Sequence, residues 1–184
     1  LHSFPTRRSS DLPELADRVK TLLGDQVVVD NQWGIDHGTW SVLVHLFPDA
    51  DVPVVQLSID QTLTPVQHFK LAETLKELRS EGIMILGSGN IVHNLQKVNW
   101  GMQGGYEWAY AFDDYIKNNI VSGRFDNGIA YERAGSSHKD AFYTLEHFLP
   151  LLYVLGCVAE TDALTVFNDA CTLGSISMTG YLFK

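Results

Sequence analysis

Residues 83–95 read IMILGSGNIVHNL: four apolar side chains, a Gly-Ser-Gly turn, then a histidine between two asparagines. A short apolar run that stops at a glycine cluster predicts a β-strand over 83–87, buried on both faces. Outward from it the chain alternates. Upstream lie TPVQHFKLAETLKELRSEG (64–82), a long helix with Thr64 as cap and Pro65 in its first turn, and VPVVQLSID (52–60), a second buried strand. Before these come PELADRVKTLLG (13–24), a helix stopped by Gly24, the β-branched run QVVVD (26–30), and TWSVLVHLF (39–47), a short helix. Downstream, YEWAYAFDDYIKNNIVSG (106–123) is helical and EHFLPLLYVLG (146–156) is apolar, while LTVFND (164–169) and SISMTGYLF (175–183) read as strands that close a sheet.

Strands that alternate with helices predict an α/β fold. Its three layers are a mostly parallel or mixed central sheet and helices on both faces. No internal repeat or linker interrupts the pattern, so one domain is expected. Ligands of such sheets bind beyond the carboxyl ends of the strands, which singles out the loops 30–39, 60–64 and 88–94.

Bulk properties narrow the function. The 184 residues carry a net charge of −9 and no basic run in the body of the chain, which argues against a nucleic-acid partner. Hydrophobic content of 45% with mean hydropathy near zero fits a globular protein, and no apolar stretch has the roughly 20 residues of a membrane helix. Cys157 and Cys171 show no CxxC spacing and read as free buried thiols in a reducing cytoplasm. The first twelve residues differ from the rest. HSFPTRRSSDL (2–12) is what a widely used sequencing-library adapter encodes, codon for codon, so 1–12 reads as an artefact. Residues 13–184 are then expected to form about the C-terminal two-thirds of one larger domain.

Histidine is the residue to follow, because its pKa near neutrality suits metal binding and proton transfer. His45 and His68 sit in helical runs, and His138 in a polar loop; these read as structural or solvated. His93 follows a strand and a glycine turn, either as a working imidazole or as a locally bonded helix-start residue. His37, in WGIDHGTW, stands in a glycine-flanked loop beside Asp36, with Trp33 and Trp40 as possible pocket walls or core residues. His147 precedes an apolar helix, and of Glu146 and His147 only one would point into a site. No HExxH, GxSxG, Walker or complete GxGxxG motif occurs, so any metal site has to be assembled from distant segments.

WGIDHGTW, VPVVQLSID, GIMILGSGNIVHNL and TLEHFLPLLYVLG, in this order, together resemble the class III extradiol ring-cleavage dioxygenases, in their 4,5-DOPA branch. The resemblance implies an enzyme that opens a small catecholic aromatic with non-haem Fe(II) and O₂ as co-substrate, Zn²⁺ being possible at the same site. Carried over by position, His93 matches a histidine of the metal site or of proton transfer beside it. His147 matches a metal ligand, and His37 a residue near the substrate, with Asp36 and Trp33 around it. The family's N-terminal histidine motifs of the GHGSP and SAHW types are absent, as a truncated gene would leave them. The resemblance therefore implies a 184-residue chain that is inactive and poorly soluble on its own. A zinc-dependent hydrolase and a non-catalytic relative are the competing readings. The oligomeric state stays open.

Overall fold

A computed structural model describes residues 11–30, 32 and 34–184. The adapter-like residues 1–10 and Trp33 lie outside the described residues. The chain forms two compact units, one up to Ile59 and one from Asp60 to Lys184.

Two α-helices lie among the described residues of the first unit. Helix α1 (Asp11–Leu23) ends where the sequence places its stop, at Gly24, whose φ of +60° is a conformation glycine adopts without strain. Helix α2 (His37–Leu46) is started by Asp36, whose carboxylate accepts a hydrogen bond from the Thr39 N–H at 2.9 Å. The Asp36 N–H donates to Gln56 Oε1 at 2.9 Å, which ties this helix start to the run 52–59. Leu23 and Leu43 are buried, whereas Val28 is 86% exposed.

The second unit is built on helices. Helix α3 (Pro65–Leu75) carries the expected Thr64 cap as a full capping box with Gln67. It packs on α7 (Leu149–Gly156) through Leu71, Ala72, Leu75, Leu152 and Leu155, all buried. A Cβ on Gly156 would lie 2.6 Å from Ala72 Cβ, so glycine is what lets these helices touch. Helix α4 (Glu107–Val121) contributes Phe112, Ile116 and Ile120 to the core, followed by α5 (Phe125–Ile129) and α6 (His138–Ala141). Phe112, Tyr131, Phe142 and Phe148 form an aromatic cluster with ring centroids 5.3–6.1 Å apart, mostly edge to face. Arg79 closes the far end by pairing with Asp162 and donating to the Cys157 carbonyl at 2.7 Å.

Sheet structure is smaller than the pattern predicts. Strand β1 (Leu164–Phe167) pairs antiparallel with β4 (Gly180–Phe183), and β2 (Cys171–Thr172) with β3 (Ile176–Ser177). The runs 26–30, 52–60 and 83–87 carry no ladder among the described residues, so the three-layer central sheet of the expectation is not seen there. The physical reason is that apolar, β-branched composition specifies an extended segment, while a ladder also needs a neighbouring edge in register. Residues 83–86 do keep the period of a strand. Ile83 and Ile85 are half-buried, and Met84 and Leu86 are 67% and 39% exposed, rather than covered on both faces as predicted. Both cysteines are free and buried, as expected.

Candidate functional site

The Gly-Ser-Gly stretch, which forms no turn where the sequence pattern predicts one, decides where the site forms. In an extended chain Gly87 and Gly89 face the same side, and that side meets the start of α7. A Cβ on Gly87 would stand 2.6 Å from the Pro150 carbonyl oxygen, and one on Gly89 only 2.1 Å from the His147 carbonyl oxygen. The glycines thus admit a neighbouring backbone, where the sequence alone suggested close approach to a ligand. The Asn90 N–H then donates to that same His147 oxygen at 2.9 Å.

Three residues on, His93 sits in the middle of a small backbone lattice. It bridges Phe142 in parallel and Ile176 in antiparallel sense, and its N–H donates to the Ala141 carbonyl at 2.7 Å. On either side the Ser177 N–H donates to Val92 O at 2.9 Å and the Asn94 N–H to Ser175 O at 3.1 Å. The Asn94 side chain, itself buried, donates to Asp140 O at 2.8 Å. His93 is therefore held in an extended segment that ends at the next residue, where Asn94 caps the short 3-10 helix Leu95–Lys97.

Its ring lies on the ring of His147, with centroids 3.6 Å apart and planes 14° from parallel. Burial, and then the neighbouring His147, hold the His93 imidazole below its ordinary pKa. A ring that stays neutral at pH 7 can accept a proton, which is what a general base does. Glu146 adds a carboxylate at the rim and accepts from the Thr144 hydroxyl at 2.5 Å. Burial opposes its charge, but that hydroxyl and the backbone outweigh it and leave the carboxyl below its ordinary pKa.

Stacking restricts what the pair can bind. An ion about 2.1 Å from a ring nitrogen lies in that ring's plane, and hence about a stacking distance from the plane of the other ring. His93 and His147 as arranged fit one ligand position of a metal, not two. Among the described residues no group of three His, Cys, Asp or Glu could hold a metal ion.

The remaining sequence candidates each sit within one of the two units. His37 is exposed as the first residue of α2, in the first unit, and Asp36 beside it is spent on the helix cap. His45 is exposed on α2, and His138 is half-buried with its Nδ1 2.6 Å from the Gly135 carbonyl oxygen. His68 is fully buried, its Nδ1 2.9 Å from the Tyr153 hydroxyl. Sequence reasoning missed Asn90 as a partner of the His147 backbone. Its one available signal was the alternation of Gly87 and Gly89, which marks a close neighbour without naming it.

An imidazole pair at the end of an extended apolar run, in a helix-rich α/β frame, agrees with the family match. A family model described as the catalytic LigB subunit of aromatic ring-opening dioxygenase covers residues 9–183, and the chain belongs to that family. It is 42% identical over 175 residues to the 4,5-DOPA dioxygenase extradiol of Escherichia coli K12, a match covering 90% of this chain and 63% of that one. The protein of the same name from Beta vulgaris is 33% identical, with 93% and 65% covered. The chain thus spans somewhat less than two thirds of the length of these relatives. A crystal structure of an uncharacterized Escherichia coli K12 protein superposes with a TM-score of 0.86 at 38% identity, over 98% of this chain and 75% of that one.

Proposed function

We propose that the protein is an extradiol dioxygenase that cleaves the ring of a small catecholic aromatic such as DOPA, with Fe(II) as cofactor and O₂ as co-substrate. The observation that carries the reading is the His93–His147 stack, formed by two of the motifs that resemble the family, in a chain that belongs to it. Because the stacked rings fit one ligand position, the roles divide. His147 serves as a metal ligand, and His93, kept neutral by burial, takes a hydroxyl proton from the catechol. His37, with Asp36 and Trp33, belongs to the substrate side of the same proposal. When bound, the iron would supply the site where catecholate and O₂ meet.

A complete metal site needs more ligands than these two imidazoles provide, and each missing ligand removes a large share of the affinity. The 184-residue chain by itself is therefore inactive in this reading. No helix among the described residues is long and apolar enough to cross a membrane, and the proposed compartment is the cytoplasm.

The test is aerobic turnover of DOPA with ferrous iron, followed by product absorbance and O₂ uptake. It is run on the 184-residue chain and on a gene product extended upstream of Pro13 to the length of the relatives. The longer protein is expected to turn over and to lose activity on His93→Gln. Turnover without O₂ uptake would point to a zinc hydrolase. A longer protein that binds no metal and consumes no O₂ would mark a non-catalytic relative. Either result overturns the proposal.

A further inference from the structure

The geometry points to Asn90 as a positioning residue that aligns the His93–His147 pair through two carbonyl groups. What the aligned pair is for rests on the dioxygenase reading; the alignment itself does not. Asn90 is half-buried, and its backbone and side chain reach the two arms of the site. Its backbone N–H donates to the His147 carbonyl at 2.9 Å, and its side-chain amide donates to the Ser177 carbonyl at 2.7 Å. Ser177 in turn donates its N–H to Val92, next to His93, and its hydroxyl to buried Asp113. The segment carrying His147 and the hairpin that braces His93 therefore meet in one residue, the first at its backbone N–H and the second at its side-chain amide.

Imidazole rings 3.6 Å apart and 14° from parallel tolerate little play, since a displacement of a few tenths of an ångström either separates or collides them. The Asn90 N–H joins the two rings' backbone segments at the His147 carbonyl. Gly89 brings the strand end against His147, and the Asn90 amide then fixes the tilt of that strand end against Ser177. The requirement is for a donor. The Ser177 oxygen accepts from Asn90 Nδ2, so a group of the same shape that cannot donate should fail.

That distinction sets the experiment. Asn90→Asp keeps the shape and replaces the donor by an acceptor facing a carbonyl; Asn90→Ala removes both. The imidazole C–H resonances of His93 and His147 are recorded by NMR on the 184-residue chain, and assigned with His93→Gln and His147→Gln. Each ring in the unmutated chain should show the upfield displacement of a proton above an aromatic face. Both Asn90 variants should lose that displacement, Asn90→Asp at least as fully as Asn90→Ala, while amide resonances of α3 and α4 stay in place. Retained displacement in Asn90→Asp would leave only a space-filling role and overturn the proposal. So would displacement unchanged in both variants, or absent from the unmutated chain. Loss of the dispersed amide spectrum in both variants would also overturn it, by making Asn90 a residue of the fold at large. Catechol turnover does not enter, so failure of the dioxygenase reading and failure of this one are separate results.

Discussion

Replacing one glycine by alanine should have opposite consequences at two places in this chain. At Gly89 the new methyl would stand 2.1 Å from the His147 carbonyl oxygen, where ordinary contact begins at 3.4 Å, so the backbone has to open by roughly 1.3 Å. The obstacle is main chain on both sides and cannot rotate away. Overpacking of this kind costs about 1–3 kcal/mol, and separating the Asn90 N–H from the same oxygen loses about 0.5–1.5 kcal/mol more. Gly89→Ala is therefore expected to destabilise by about 1.5–4.5 kcal/mol. At Gly128, in α5, a Cβ meets nothing within 4 Å and φ is not positive. There the alanine restricts the unfolded chain and favours helix, for a gain of about 0.4–1 kcal/mol. Urea unfolding of the two variants beside the unmutated chain measures both. In the extended gene product, an opening of the order of 1 Å at His147 should also lower turnover roughly 100-fold, whereas Gly128→Ala should leave it unchanged. A Gly89→Ala variant within about 0.5 kcal/mol of the unmutated chain, the usual span of a surface substitution, would refute the close approach on which the site rests.

Two further outcomes follow from burial. His68 is fully buried against Tyr153, and burial holds its pKa below 6.5 in the folded chain. The unfolded chain therefore binds the proton more readily, so stability is complete above pH 6.5 and declines as pH falls below it. His68→Gln should remove that part of the acid slope in a series of urea midpoints, and an unchanged slope would count against the reading. The second outcome concerns the thiols. Burial raises Cys157 to about 11 and Cys171 to about 12, so neither holds appreciable thiolate at pH 8. A disulfide reagent should label both only at the rate of unfolding; rapid labelling of the native chain would contradict their burial.

Local signals were legible in the sequence because the chemistry that makes them is local. Thr64, Pro65 and Gln67 specify the start of α3 within one turn, and Gly24 specifies the end of α1. Burial of an amphipathic face likewise placed α4 within two residues of its bounds. The central sheet was read from composition, and composition does not settle pairing. QVVVD, VPVVQLSID and IMILG have the side chains of strands, yet the hydrogen bonds of a ladder come from elsewhere in the chain. The described residues pair β1 with β4 and β2 with β3 instead. Trp33 lies outside the described residues, and His37 remains assigned to the substrate by resemblance alone.

The site shows the same division at finer scale. His93 and His147 could be singled out as candidates from where their motifs stand, but their face-to-face contact could not, because it depends on backbone groups with no signature of their own. The carbonyl of His147 accepts from Asn90, that of Ala141 from His93, and those of Val92 and Ser175 complete the lattice around it. Each of these is a main-chain atom that any residue would supply. What the side chains contribute is permission and direction: two glycines leave room for the α7 start, and one asparagine amide points at Ser177. A histidine pair held this way draws its geometry from residues whose types look like turn chemistry. Substitutions at Gly87, Gly89 and Asn90 should then alter the geometry of the imidazoles more than substitutions at Glu146, whose carboxylate is hydrogen-bonded to the local Thr144 hydroxyl and backbone and acts on the two rings through its charge.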